Sequence, residues 1–417
     1  MFDFTIRPRQ APGHEVQCTT HDNTDADEFI AAKVIEWLAN PTWVQANTEH
    51  GRVYLGVGDS GKLGVFNEHD SRDTGGDKSH SCATLVAESL EARSHHILMH
   101  LFRIALAQDA EGIGEPNDIF SLLKAWRMLR PNQEQAMFDW TSLALDAWLA
   151  AAEKRWAEWN MLPVKTRDAY WKQYAENGGL GLNFFNLESS VREHAPDRFA
   201  AWQEMLYGIR TSAETKLTEA MVEAKKRTII ETVRTKTGPI RVAIIFSDNP
   251  FILGGIRRAK LNAGVIIRFE SNDRFQIFGS KGKITLNGVM GQLAHRYLAN
   301  MGQLSEELLK MLPLDQIKAV RATRVRGGKQ DWTDRVYYFT TGAMIFNGSL
   351  TAPTAGLIGD GLTCQDVKDC TMRGIVDELG IPEARRTAAQ HRPQESTKPA
   401  DPQPATPTPE TPEPAKS

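Results

Sequence analysis

The residues best suited to chemistry lie close together near the start of the chain: His21-Asp22-Asn23-Thr24-Asp25-Ala26-Asp27-Glu28, a pattern written HxNxDxDE. A short strand-like run over residues 16–20 precedes it, and an apolar helical run over 29–38 follows. One imidazole and two carboxylates are therefore expected at a strand's carboxyl end, the edge where open α/β sheets hold their ligands. Carboxylate oxygens suit a hard divalent cation, Mn2+ or Mg2+, and the imidazole tilts the choice toward a transition metal. Helix capping would account for one aspartate. It explains neither the second aspartate nor His21.

Strands and helices must position that set. Residues 1–120 read as α/β, with strand-like runs at 15–20 and 53–57 alternating with helical ones at 29–38, 81–90 and 95–107. That alternation is the pattern of a parallel sheet. Residues 120–235 read as mostly helical and carry Trp126, Trp140, Trp148, Trp156, Trp159, Trp171 and Trp202. A tryptophan stripe at helical spacing is expected to be core. A second α/β unit begins near Pro239: strand 240–247, helix 251–261, paired strands 265–270 and 275–279, and a closing helix 293–301. A last strand, 336–340, leads to the turn signal Asn347-Gly348-Ser349. From His391 the final 27 residues hold eight prolines among Thr, Glu and Ala, the composition of a disordered tail. The expected organisation is a parallel-sheet metal-binding α/β domain (1–118), a helical insert and linker (119–237), a second, smaller, basic α/β domain (238–384) and a disordered Pro-rich tail (385–417).

Composition narrows the function classes. No apolar run approaches the roughly 20 residues that span a bilayer, and MFDFTIRPRQ lacks the apolar stretch of a signal peptide. Cys18, Cys82, Cys364 and Cys370 match neither a zinc ribbon nor a disulfide framework. Each is expected to be a small buried hydrophobe, in a reducing, cytoplasmic setting. The net charge of −3 hides an asymmetry: residues 1–120 hold 9 Lys/Arg against 19 Asp/Glu, and residues 221–335 hold 21 against 10. Eight of the 11 histidines fall in the first 100 residues. An acidic, His-rich segment would hold cations, and a basic one would attract a polyanion, although opposite charges also help two domains dock.

Two further patches accompany the first. Residues 53–57 run into Gly58-Asp59-Ser60-Gly61, and Phe66-Asn67-Glu68-His69-Asp70 forms a second carboxylate–imidazole cluster. Asp109 then sits among apolar residues at a helix's end, where a carboxylate opposes the helix dipole and calls for a partner. This layout resembles the DHH phosphoesterase superfamily of RecJ-like exonucleases, oligoribonucleases, exopolyphosphatases and manganese inorganic pyrophosphatases. Within it the chain is most similar to the metal-dependent hydrolases that include a eukaryotic RNA exonuclease. The resemblance covers residues 15–115 and, more loosely, 238–355, which is similar to the family's substrate-binding domain. The family's first motif, HxxxDxD, falls on His21, Asp25 and Asp27. Its metal-bridging aspartate falls on or near Asp59, its Asp-His-His motif on Glu68-His69-Asp70, and its solitary aspartate on Asp109.

The resemblance implies two Mn2+ (or Mg2+) ions, with Asp25, Asp27 and His69 at the centre of catalysis. His21, Asp25 and Asp59 would hold the first ion; Asp27, Asp59, His69 and Asp109 the second. The departures are specific. The family's second His is Asp70 here, whose charge repels a phosphate, and His80 is the candidate substitute. Asp59 reaches the bridging place only with a local shift, because Gly56 stands where the nearest relatives have the aspartate. No GGGH-type loop is present; Gly327-Gly328-Lys329 is the nearest basic glycine stretch.

Cations in the basic segment are the candidates for holding substrate: Arg257, Arg258 and Lys260, then Lys281 and Lys283, then Arg324, Arg326 and Lys329. Such charges give salt-sensitive binding to a nucleic-acid backbone. Phe275 and Phe278 could stack on bases, with core packing their favoured alternative. His96 and His100 share a helical face and are expected to be packed and hydrogen-bonded. The leading expectation is thus a metal-dependent phosphoesterase acting on nucleic acid or short oligonucleotides, with no membrane partner. Two other readings stay open: a pyrophosphatase- or polyphosphatase-type hydrolase, and a catalytically degenerate protein that keeps the fold and binds a nucleotide or partner. Oligomeric state is open as well.

Overall fold

The computed structural model describes residues 1–22, 24–68, 80–111, 117–176, 181–280, 284–303, 328–330, 332–339, 343–347 and 355–380. Its chain builds two mixed sheets, each dressed with helices. The expected tail, 385–417, lies outside the described residues.

The first sheet has the order β1-β2-β3-β4, with β1 Phe2–Ile6, β2 Val16–Thr20, β3 Arg52–Leu55 and β4 Val65–Phe66. Strands β2, β3 and β4 run parallel, as the alternating pattern predicts, but β1 pairs antiparallel to β2. The sheet is therefore mixed, not purely parallel. The cause is the connection: β1 and β2 register over five pairs, Phe2↔Thr20 to Ile6↔Val16, and residues 7–15 between them contain no helix. A parallel crossover ordinarily takes a dozen or more residues, so the chain turns straight back. Strands β3 and β4 pair in parallel across an equally helix-free link because only two residue pairs need to align.

Helices α1 (Ala26–Leu38) and α2 (Pro41–Asn47) make the crossover from β2 to β3, and α3 (Cys82–Ser89) and α4 (Leu98–Glu111) follow β4. Nearly every residue of α1 is buried, Asp27, Glu28 and Lys33 included. Its one lysine, Lys33, is fully buried and bonds Glu36, Ser142 and Asp146. Five more helices come next: α5 (Ile119–Leu129), α6 (Glu134–Met161), α7 (Val164–Glu176), α8 (Phe184–His194) and α9 (Pro196–Arg227). Four of the seven tryptophans behave as core residues, Trp156 and Trp159 are half-buried, and the side chain of Trp171 lies outside the described residues. Trp126, Trp140, Trp148 and Trp202 are buried in one continuous cluster with Phe4, Phe29, Val53 and Leu55 of the sheet layer. Trp140 and Trp202 stack at 4.8 Å, and each indole N–H donates to the other's carbonyl.

The second sheet has seven strands in the order β5-β6-β7-β8-β11-β10-β9. These are β5 Ile229–Thr235, β6 Gly238–Phe246, β7 Val265–Phe269, β8 Phe275–Gly279, β9 Gly328–Gln330, β10 Thr333–Phe339 and β11 Met344–Phe346. Only β6 and β7 are parallel, and helix α10 (Ile252–Arg258) crosses between them. Strand β5 is absent from the sequence expectation, which is helical to residue 235. It follows α9 directly and hairpins back into β6. Helices α11 (Asn287–Asn300) and α12 (Cys364–Leu379) cross where Gly288 and Gly374 meet; a Cβ on either would strike the other helix's backbone. Gly255 gives α10 an equally close approach to Ala220 of α9. Phe275 and Phe278 are buried, on the packing side of their two readings. All four cysteines are free, and Cys18, Cys82 and Cys370 are buried. No described helix is long and apolar enough to cross a membrane.

Candidate metal centre at the carboxyl edge of the first sheet

The three parallel strands all end on one side of the first sheet. After Thr20 comes the loop 21–25, after Leu55 comes Gly56, and after Phe66 come Asn67 and Glu68. The amino ends of α1 and α3 meet the same edge. Asp25 is the N-cap of α1: its carboxylate accepts from the Asp27 N–H at 2.9 Å, while Glu28 Oε2 accepts from the Asp25 N–H at 2.6 Å. This reciprocal box satisfies two donors that a helix start leaves open. Asp25 therefore does serve as the cap.

Asp27 does something else. It is 2 % exposed, and its carboxylate accepts from the Cys82 N–H at 2.7 Å and the Ala83 N–H at 3.2 Å, in the first turn of α3. A helix amino end is a natural anion site, so Asp27 pins α3 to α1. Glu68 and Cys82, both buried, complete a group with it: one ligand atom from each of the three lies within 4.8 Å of the others. Among the described residues no other trio of His, Cys, Asp or Glu does so.

The environment favours the neutral forms of Glu28 and Cys82. Burial, and then Asp25, drives the Glu28 carboxyl well above the usual carboxylate range, against a backbone hydrogen bond from Asp25 that acts the other way. Burial, then Asp27, Glu68 and Glu28, holds the Cys82 thiol far above its ordinary value. A divalent cation among these groups would reverse the balance and release protons on binding. His21 stands at the rim, about a third exposed, with Nε2 3.5 Å from Glu28 Oε1. Gly56 is shaped by the same crowding: its φ is +68°, and a Cβ there would overlap the Glu28 carboxylate. The loop 21–25 is braced by Thr24, whose Oγ1 donates to the His21 carbonyl at 2.9 Å and whose own carbonyl accepts from Arg127 Nη1 at 3.2 Å.

Of the six expected metal ligands, Asp27 is central, His21 is on the rim and Asp25 caps α1. Asp59 lies outside the trio: it is exposed and accepts from the Gly61 N–H at 3.1 Å in a local turn. His69 lies outside the described residues, as do the side chain of Asp109, Lys281 and Lys283. His80 Nε2 lies 3.2 Å from Glu88 Oε2, a carboxylate that Arg93 also engages. Arg258 pairs with Glu214 of α9 at 2.6 Å, and Arg257 is exposed on α10. His96 stacks between His95 and Trp156 at 4.5 and 4.0 Å.

The expected ligand set omits Glu28, Glu68 and Cys82. Glu28 had a local signal, since it stands three residues after a capping Asp. Glu68 had one too, in the first place of the divergent Glu68-His69-Asp70. Cys82 had none beyond its expected burial. Comparison with protein-family models, with curated proteins and with solved structures finds no match for this chain.

Proposed function

We propose that this chain is a divalent-metal-dependent phosphoesterase that hydrolyses phosphodiester bonds in nucleic acid or short oligonucleotides. The observation that carries this reading is the burial of Asp27, Glu68 and Cys82 within 4.8 Å of one another at the carboxyl ends of three parallel strands, the ligand edge of α/β sheets. Several acids buried together are costly unless they stay protonated or share a cation. Two carboxylates fit Mn2+ or Mg2+, and the thiol favours the transition metal of the two. A second ion, with His69, Asp59 and Asp109 as further ligands, belongs to the same proposal. When bound, such a cation acidifies a water and stabilises charge on the phosphoryl oxygens.

The chain's own residues have defined tasks in this reading. The α3 N–H groups fix Asp27, and an ionised carboxylate with about four acceptor positions keeps others for a cation. Glu28, whose carboxyl burial pushes toward its neutral form, lies beside His21, and the imidazole at the rim is placed to pass a proton between the site and solvent. The basic second unit supplies the attraction for a polyanion.

The degenerate, binding-only reading has one observation in its favour: Asp27 is already engaged by α3, so structure alone accounts for it. A labelled oligonucleotide incubated with the full chain and Mn2+ separates the two. Turnover that a chelator stops and Glu68→Gln cuts by about 100-fold or more supports the hydrolase. Absence of turnover on oligonucleotides and on pyrophosphate alike would sink it.

A further inference from the structure

The three buried thiols have different neighbours. Cys18 and Cys82 both border the first apolar core, and Cys370 Sγ donates to the Gln292 carbonyl at 3.5 Å between α11 and α12. Cys82 alone among the described thiols also shares a group with two carboxylates. Fully buried at the first residue of α3, it has Sγ within 4.8 Å of one oxygen of Asp27 and one of Glu68. Its backbone N–H donates to the Asp27 carboxylate at 2.7 Å. The main chain and the side chain of one residue are thus both held to the same acid. Apolar filling does not account for that place, because a filler needs hydrocarbon around it, and here two carboxylates 2 % and 4 % exposed stand beside the sulfur.

We propose that Cys82 binds the cation of this centre through its sulfur and thereby selects a thiophilic transition ion, Zn2+ above all, over Mn2+ and Mg2+. The inference rests on the metal-centre reading and names the class of ion. A thiolate is a soft donor that Zn2+ and Co2+ bind firmly, whereas Mg2+ and Mn2+ suit oxygen. Mg2+ also sheds water reluctantly and demands a near-ideal octahedron, which a site almost closed to bulk water does not supply. Zn2+ takes four donors in a tetrahedron, and zinc sites that do chemistry leave one of the four to water or substrate. Asp27, Glu68 and Cys82 therefore complete a zinc centre with one open place. Tetrahedral Zn–S and Zn–O distances of about 2.3 and about 2.1 Å set such donors about 3.6 Å apart. A group already within 4.8 Å reaches that spacing by closing about 1 Å. On loading, the S–H bond breaks, its proton goes to water, and the sulfur's electron pair forms the bond to the metal. Helix α3, whose first N–H groups hold Asp27, keeps the acid and the sulfur together.

The test titrates the metal-free full chain with Co2+ and reads its absorption spectrum, with no substrate present. Visible ligand-field bands report Co2+ in the site, and an intense near-ultraviolet charge-transfer band reports sulfur bound to it. The native chain should show both. Zn2+ should erase both at about one equivalent, and Mg2+ in about tenfold excess should erase neither. Cys82→Ser should lose the near-ultraviolet band and weaken Zn2+ binding about 100-fold or more, while Mn2+ binding changes by less than about tenfold. Cys370→Ser, in the second unit, should keep the native spectrum. The native spectrum decides the matter even if Cys82→Ser folds poorly. Ligand-field bands without the near-ultraviolet band would mean an ion held by oxygens alone. That result would overturn the role of Cys82 and leave the metal centre standing. No Co2+ uptake by the native chain would overturn both. Equal losses of Zn2+ and Mn2+ binding in a Cys82→Ser chain that melts as the native one does would mean that the residue only shapes the site, and would overturn the selectivity.

Discussion

Replacing Glu28 with glutamine separates the burial of this carboxyl group from its ionisation. Glu28 is only 4 % exposed, and burial followed by the charge of Asp25 raises its pKa well above 4.5. A carboxyl with a raised pKa binds its proton more tightly in the folded chain than in the unfolded one. Its stabilising contribution is complete below the unfolded value of about 4.3 and is lost as pH rises toward the folded value. Inside that window the loss runs at about 1.4 kcal/mol per pH unit for one proton. Glutamine keeps an oxygen for the Asp25 N–H that Glu28 accepts at 2.6 Å, and it has no proton to lose. As pH rises above the unfolded value the native chain should therefore lose stability that Glu28→Gln retains, at up to about 1.4 kcal/mol per pH unit. Urea unfolding followed by tryptophan fluorescence, with chelator throughout, measures the difference. Parallel stability–pH curves for the two proteins would refute the reasoning, because they would mean that Glu28 ionises as readily folded as unfolded.

Other consequences concern the frame around the site. Gly56→Ala forces a side chain onto a residue with φ of +68° and into the Glu28 carboxylate, so unfolding free energy should fall by about 2 to 4 kcal/mol; a loss below about 1 kcal/mol would show that Glu28 yields easily. Asn347 is fully buried, with Nδ2 donating to the Arg335 and Ala355 carbonyls and Oδ1 accepting from the Leu357 N–H. Asn347→Ala should cost at least about 2 kcal/mol in urea unfolding while leaving metal uptake by the first unit intact. Lost metal uptake in that variant would mean that the two units fold as one.

What could be read from the sequence was local. The run ending at Thr20, the cap at Asp25 and the burial of α1 all follow from residues within a few positions of each other, and they place Asp25 and Asp27 at the carboxyl edge of the first sheet. The choice between Asp25 and Asp27 was not local. Which aspartate caps and which turns inward depends on Cys82 and Ala83, whose N–H groups arrive from α3 after a long excursion of chain. Glu68 joins the group through β4, a two-residue strand too short to announce itself. Cys82 was legible as a buried residue, yet its neighbours were not. Strand β5, IIETVRT, was missed because it follows a long helix without a break and its charges blur the alternation that marks a strand.

The most direct test of the metal centre is Mn2+ binding to the full chain, stripped of metal, read from the electron paramagnetic resonance signal of free Mn2+. The native chain should take up at least one equivalent, with protons released as the Glu28 and Cys82 region accepts the cation. Glu68→Gln, which removes one charged ligand and keeps the shape, should weaken uptake about tenfold or more. No uptake by the native chain, or equal uptake by Glu68→Gln, would contradict a cation held between Asp27 and Glu68.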